Sequence, residues 1–164
     1  MNAGERLWIE RITLTDFRNH ASITIDAGPE PVVLIGANGT GKTNLLEAVS
    51  LLAPGQGLRR APFAELARAD GQGSWAVAAR VHGLTGPADI GTGQLAGQTG
   101  AARQVRIDGS AQSSSGVLAD YVEMVWVTPA MDGLFVGPAA ERRRFLARLI
   151  LCFDHGYRAI AGPF

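Results

Sequence analysis

At 164 residues, 46% apolar and 18% charged, the chain has the composition of one soluble globular domain with a single core. Its formal net charge is zero, so any nucleic-acid contact must come from a local basic patch or from a partner chain. The lone Cys152 excludes an intramolecular disulfide, and no apolar run approaches the roughly 20 residues of a membrane span.

Met1 to Arg6 has none of the apolar character of a signal peptide, so a cytoplasmic protein without membrane contact is expected. From Leu7 to Thr15 the apolar residues Leu7, Ile9, Ile12 and Leu14 alternate loosely and predict a first strand. Strict alternation through Ile23 and Ile25 predicts a second strand from Ala21 to Asp26. Asp16-Phe17-Arg18-Asn19-His20 between them is too polar for a core, and Gly28-Pro29-Glu30-Pro31 is a turn.

The next stretch carries the chemistry. Val32-Val33-Leu34-Ile35 predicts a buried strand, and Leu45, Leu46, Val49 and Leu52 recur at helical spacing. Between them Gly36-Ala37-Asn38-Gly39-Thr40-Gly41-Lys42-Thr43 fits G-x-x-x-x-G-K-[ST], the phosphate-binding P-loop. Gly36, Gly39 and Gly41 allow successive backbone N–H groups to surround a phosphate with no side chain in the way. The start of the following helix adds partial positive charge at the same place. Lys42 can reach the β- and γ-phosphates, and the Thr43 hydroxyl can ligate Mg²⁺. Lys42 is also the only lysine among fifteen Lys and Arg residues, a compact point charge kept in an Arg-biased chain. A Rossmann dinucleotide site is excluded, because the glycine spacing is not G-x-G-x-x-G.

The P-loop helix is expected to run to about Leu52, stopped by Ala53-Pro54-Gly55. Gly57 to Pro62 is a basic loop, either a solvated connection or a phosphate or DNA contact, and a short helix follows around Phe63 to Arg68. Ser74 to Val81 predicts a strand, Gly83 to Gly100 a weak strand pair or loose hairpin, and Arg103 to Asp108 a partner strand. Ala111 to Gly116 is a polar linker, and Met124 to Val127 a short buried strand. From Pro138 the spacing of Phe145, Leu146, Leu149, Ile150 and Phe153 predicts a helix.

Ile12-Thr13-Leu14-Thr15-Asp16-Phe17-Arg18-Asn19, followed by Leu34 to Ala48, resembles the amino-terminal start of the RecF family of DNA-repair ATPases, relatives of SMC heads. Val105-Arg106-Ile107-Asp108-Gly109, Val127-Thr128-Pro129 and Gly137 to Leu146 look like RecF in the same order. The resemblance implies an α/β P-loop NTPase fold, an ABC-type ATPase head lobe with leading antiparallel strands. It divides the chain into an ATP-binding lobe at 1–130 and the start of a helical arm at 131–164.

It also implies ATP and Mg²⁺ as cofactors, with Gly36 to Thr43 around the phosphates, Thr43 on the metal, and Arg18 and Asn19 near the nucleotide. Arg142, Arg143 and Arg144 match the family's Arg-rich helix start, although such a run is also what a solvated helix face looks like. The implied function is recombinational repair and replication, tied to DNA damage and the SOS response. An ATP-dependent homodimer would bind DNA at single-strand/double-strand junctions and support loading of RecA, with RecR as a further partner.

Three departures from the family pattern stand out. Val117 to Gly137 contains no glutamine to sense Mg²⁺ and γ-phosphate, and no Leu-Ser-Gly-Gly-like signature is present. The nearest imitation of a Walker B strand, Leu149 to Asp154, continues the helical periodicity begun at Phe145, and His155 follows it instead of Glu. The expectation is therefore a fragment ending inside its helical arm, with weak or absent turnover and no identifiable catalytic acid. Two other classes fit the P-loop, a small-molecule kinase and a nucleotide-binding module without turnover.

Overall fold

In the computed structural model, residues 7–83, 85–98, 102–131, 133 and 137–151 are described. They fall into two compact units, Met1–Val122 and Glu123–Phe164.

The first unit is built on a six-stranded antiparallel sheet. Its strands are β1 Trp8–Phe17, β2 His20–Asp26, β3 Trp75–Gly83, β4 Gly86–Gln94, β5 Gln104–Ile107 and β6 Ser110–Gln112, in the spatial order β2-β1-β3-β4-β5-β6. Alternation of side chains sets one face inward: Ile12 and Leu14 on β1, Trp75, Val77, Ala79 and Val81 on β3, and Ala88 and Ile90 on β4 are all buried, while Phe17 is buried out of step after Asp16 at φ 46°. The pairing keeps these residues in register, with Leu14 opposite Val77 and Ala79 opposite Ile90.

Helix α1, Lys42–Ser50, packs against β1 and contributes Leu45 and Ala48 to the core. Leu51 and Leu52 beyond its end are fully buried, so the apolar pattern outlasts the helix by two residues. A 3₁₀ turn at Phe63–Leu66 adds Phe63, whose carbonyl accepts from the buried indole Nε1 of Trp75 at 2.7 Å.

Local chemistry explains the turns. Phe17 and His20 pair across a two-residue hairpin in which Arg18 has φ 54°. Asp108-Gly109, part of a segment that looked like RecF, forms the β5–β6 hairpin with both residues at positive φ, as a type I′ turn requires. The Asp108 carboxylate also accepts from the Asp89 backbone at 2.8 Å.

Two expected strands are absent from their places. Residues 31–35 form no ladder, and Val33 and Ile35 are 78% and 90% exposed. Met124 to Val127 likewise forms no strand, and Val127 is exposed. A run of branched residues becomes a buried strand only between neighbours, and among the described residues no strand pairs with either segment.

Two polar stretches are more ordered than expected. The Gly- and Thr-rich region holds the nine-residue β4, paired on both sides, and Ser110–Gln112 forms an edge strand where a linker was expected.

In the second unit, α2 spans Ala139–Leu151, and Arg142 donates to the Gly137 carbonyl at 2.6 Å. Leu149 to Leu151 thus belong to a helix, while Cys152 to Asp154 and His155 lie outside the described residues.

Candidate nucleotide-binding site

The P-loop sits between the exposed segment 31–35 and α1. Gly39 and Gly41 take φ 86° and 96°, left-handed conformations that favour glycine, and Gly41 is the residue from which α1 starts. No side chain caps the helix, so the first-turn amides of Lys42, Thr43 and Asn44 have no partner within the helix. The Gly41 carbonyl accepts from the Leu45 amide at 2.9 Å and so begins the helical ladder.

Lys42 folds back over the loop, donating to the carbonyls of Gly36 at 2.6 Å and Ala37 at 2.7 Å, and Thr40 Oγ1 donates to the Ala37 carbonyl at 3.0 Å. The ammonium therefore lies inside the curl where a phosphate oxygen would meet it. Residues 36–40 and Thr43 are exposed, leaving the loop open to a ligand. Helix-start amides, an ammonium and a free hydroxyl make a site suited to a polyphosphate.

Behind the loop lies a polar network. Glu47 on α1 is only 2% exposed, and its carboxylate takes a two-pronged contact from Arg18, Nε to Oε2 and Nη2 to Oε1, both 2.9 Å. Arg59 Nη1 donates to the same Oε2 at 2.9 Å and to Asn44 Oδ1 at 2.7 Å. Asn44 Nδ2 in turn donates to Asn19 Oδ1 at 2.8 Å.

The hairpin turn is fixed from its other side by Arg18 Nη1 to the Glu65 carbonyl, the Arg18 amide to the Leu66 carbonyl, and Arg68 to Asp16. Arg18 and Asn19 are thus brought beside the P-loop helix. Arg18 is committed to Glu47 there and Asn19 to Asn44.

Glu47, Arg59, Asn44 and His20 belong to this site and were not singled out by the sequence. The basic loop at Gly57 to Pro62 is neither free nor purely a connection, since Arg59 reaches the first turn of α1.

Beyond the far end of the same helix stands a buried cation. Arg103 donates to the carbonyls of Leu51 and Ala53 and to Thr92 Oγ1, and lies over the Phe63 ring. Burial away from water lowers its pKa to about 10. It closes the end of α1 in the way a C-cap does, by satisfying carbonyls beyond the last turn.

A groove of about 290 Å³ crosses the outer face of the sheet, lined by Thr15, Ala76, Ala78, Gly91, Gly93 and Arg106 among others, and includes no P-loop residue. Among the described residues no group of three or more His, Cys, Asp or Glu side chains is placed to hold a metal, and no helix is long and apolar enough to cross a membrane.

The fold and the glycine loop define a P-loop domain of the ATPase-head type. Residues 32–76 match the family profile described as "AAA domain, putative AbiEii toxin, Type IV TA system". The chain is 53% identical over 154 residues to the DNA replication and repair protein RecF of Mesorhizobium japonicum, covering 93% of this chain and 41% of that one. It is 48% identical over 159 residues to RecF of Brucella suis biovar 1, covering 95% and 41%. A solved structure of the recombination mediator RecF with ATP superposes with a TM-score of 0.79 at 25% identity, over 94% of this chain and 41% of that one. Over this region the chain is similar to the amino-terminal part of RecF proteins. It spans about two fifths of the length of the curated relatives it matches.

Proposed function

We propose that this chain binds ATP as Mg·ATP at Gly36 to Thr43, as the nucleotide-binding lobe of a RecF-type DNA replication and repair protein. The observation that carries the reading is Lys42 Nζ inside the glycine curl, beside the uncapped start of α1. A γ-phosphate oxygen would replace the Gly36 and Ala37 carbonyls as the partner of that ammonium. The amides around Gly39 to Thr43 would hold the remaining phosphate oxygens, and Thr43 Oγ1 would be the protein's ligand to Mg²⁺. Asn19 stands beside the last glycine of the loop, and Arg18 serves the site through Glu47.

Hydrolysis requires an oriented water and a base in addition to metal and phosphate contacts. Glu47, one turn along α1 from Thr43, is spent on two arginines and is no base. A chain that holds ATP with slow turnover is therefore the form of the proposal. In the family frame the lobe spans residues 1–130 and the helical arm begins at 131–164. ATP would join two such heads in a cytoplasmic dimer acting on single-strand/double-strand DNA junctions, with RecR and RecA as partners.

The test is calorimetric titration of Mg·ATP into this chain and into its Lys42→Ala variant, with released phosphate followed in parallel. The expected result is binding by the parent chain, loss of binding in Lys42→Ala, and little phosphate release. Equal affinity in both would refute the assignment of the loop.

A further inference from the structure

We propose that His20 is a positioning residue of the phosphate-binding loop. Its ring, carried on the sheet, fixes the Gly41 pivot and so aims the first-turn amides of α1 at the ligand; this rests on the nucleotide reading above. A Cβ built on Gly41 would lie 2.4 Å from His20 Nε2, 2.6 Å from His20 Cε1 and 2.7 Å from Asn19 Oδ1. These two side chains occupy the space a larger residue would need. Around Gly39, by contrast, nothing lies within 4 Å of such a Cβ. The two glycines are therefore required for different reasons. Gly39 supplies backbone freedom alone, whereas Gly41 supplies it and also lets the imidazole close on the backbone.

The backbone that carries the ring is itself held in place. His20 pairs with the fully buried Phe17 at the mouth of the β1–β2 hairpin. The turn between them is clamped by the Arg18 fork on Glu47 and by the Arg18 amide on the Leu66 carbonyl. Asn19 ties the same turn to Asn44 one residue beyond Thr43.

His20 Nε2 also stands 3.4 Å from the Gly41 carbonyl, a long and weak polar contact, so most of the effect is packing. That same carbonyl accepts from the Leu45 amide. Displacing it disturbs the first bond of the helix and the direction of the free amides at 42–44. The loss would appear as poorer preorganisation for phosphate while the sheet stays intact.

The experiment uses the full 164-residue chain and its His20→Ala, His20→Gln and Lys42→Ala variants. Amide hydrogen exchange is read at Leu45 and Leu46, and at Val77 and Ile90 as sheet controls, alongside the Kd for Mg·ATP. In His20→Ala the Leu45 and Leu46 amides should exchange about tenfold faster with the controls unchanged, and Kd should rise about fivefold. His20→Gln, which keeps volume and a donor near the Gly41 carbonyl, should recover most of both. The proposal is overturned if exchange at Leu45 and Leu46 in His20→Ala matches the parent chain, or if the sheet controls lose protection in step with them. Lys42→Ala binding ATP as tightly as the parent would sink the nucleotide reading, and the exchange data would still decide the role of His20.

Discussion

Replacing Glu47 by glutamine keeps the shape of the side chain and removes the charge that holds two arginines. Glu47 receives three N–H donors at 2.9 Å, two from Arg18 and one from Arg59, while itself 2% exposed. Removing one member of a fully buried ion pair costs roughly 3–5 kcal/mol, because the other charge is left without a partner. That figure must be reduced here, since the Arg18 and Arg59 side chains are 20% and 41% exposed and water can reach them. The amide oxygen of glutamine can still accept one donor, and its NH₂ meets a guanidinium with the wrong sign. A loss of about 2–3 kcal/mol is expected, most of it from Arg18. In a domain of this size that lowers Tm by about 5–10 °C. Urea unfolding followed by tryptophan fluorescence, to which the buried Trp75 contributes, measures it. Arg59→Ala should cost less than about 1 kcal/mol, because the Arg59 side chain is open to water and Glu47 keeps its two donors from Arg18. A Glu47→Gln loss below about 0.5 kcal/mol would mean that the three contacts contribute little, and the argument that Arg18 serves the site through Glu47 would fall with it.

Gly41→Ala meets the His20 ring and Asn19 within 3 Å and must also adopt φ 96°; ATP affinity should fall at least about tenfold, and unchanged calorimetry would contradict the close approach. Val33→Lys with Ile35→Lys should leave the stability of this chain within about 0.5 kcal/mol, because both side chains lie in water. A loss of 2 kcal/mol or more in the same urea titration would instead mean that the segment is buried. For Arg103 burial lowers the pKa to about 10, below the ordinary guanidinium value, so only between those two values does the unfolded chain carry the extra proton. The stability difference between the parent chain and Arg103→Met should therefore be flat from pH 6 to about 9 and shift toward the parent as pH rises past 10. A slope within the neutral range would assign the linkage to another group.

What the sequence made legible follows from how local each signal is. The P-loop is a matter of backbone freedom at three glycines, a lysine and a helix start, all within eight residues, so spacing alone places it. β1, β3 and α1 were readable because each buries one face and the period shows which, and β2 because Ile23 and Ile25 on one face are partly covered while their neighbours are exposed. The buried role of Glu47 was not readable, because a carboxylate among Leu45, Leu46 and Ala48 looks like any solvated helix position. Only the tertiary arrival of Arg18 and Arg59, 29 and 12 residues away, makes it a core residue. β4 was underestimated for a related reason. Gly91 and Gly93 have little strand propensity of their own, yet β3 and β5 supply ladders on both sides and override it.

The opposite error at residues 31–35 bears on how the site works. Strand propensity there is high, but no described strand pairs with it, whereas α1 is held by the core, by Arg103 at one end and by the β1–β2 turn at the other. The loop is therefore anchored on one side only. Gly41, Lys42 and Thr43 are set by the helix and the hairpin, while Gly36 to Asn38 hang from an unpaired segment and are steadied mainly by Lys42 itself. A phosphate entering the loop must take that ammonium from two carbonyls, and the released carbonyls belong to the less anchored half. Binding should thus order residues 36–38 more than residues 41–45. Anything that paired with 31–35 would raise affinity by lowering that ordering entropy, without touching the nucleotide.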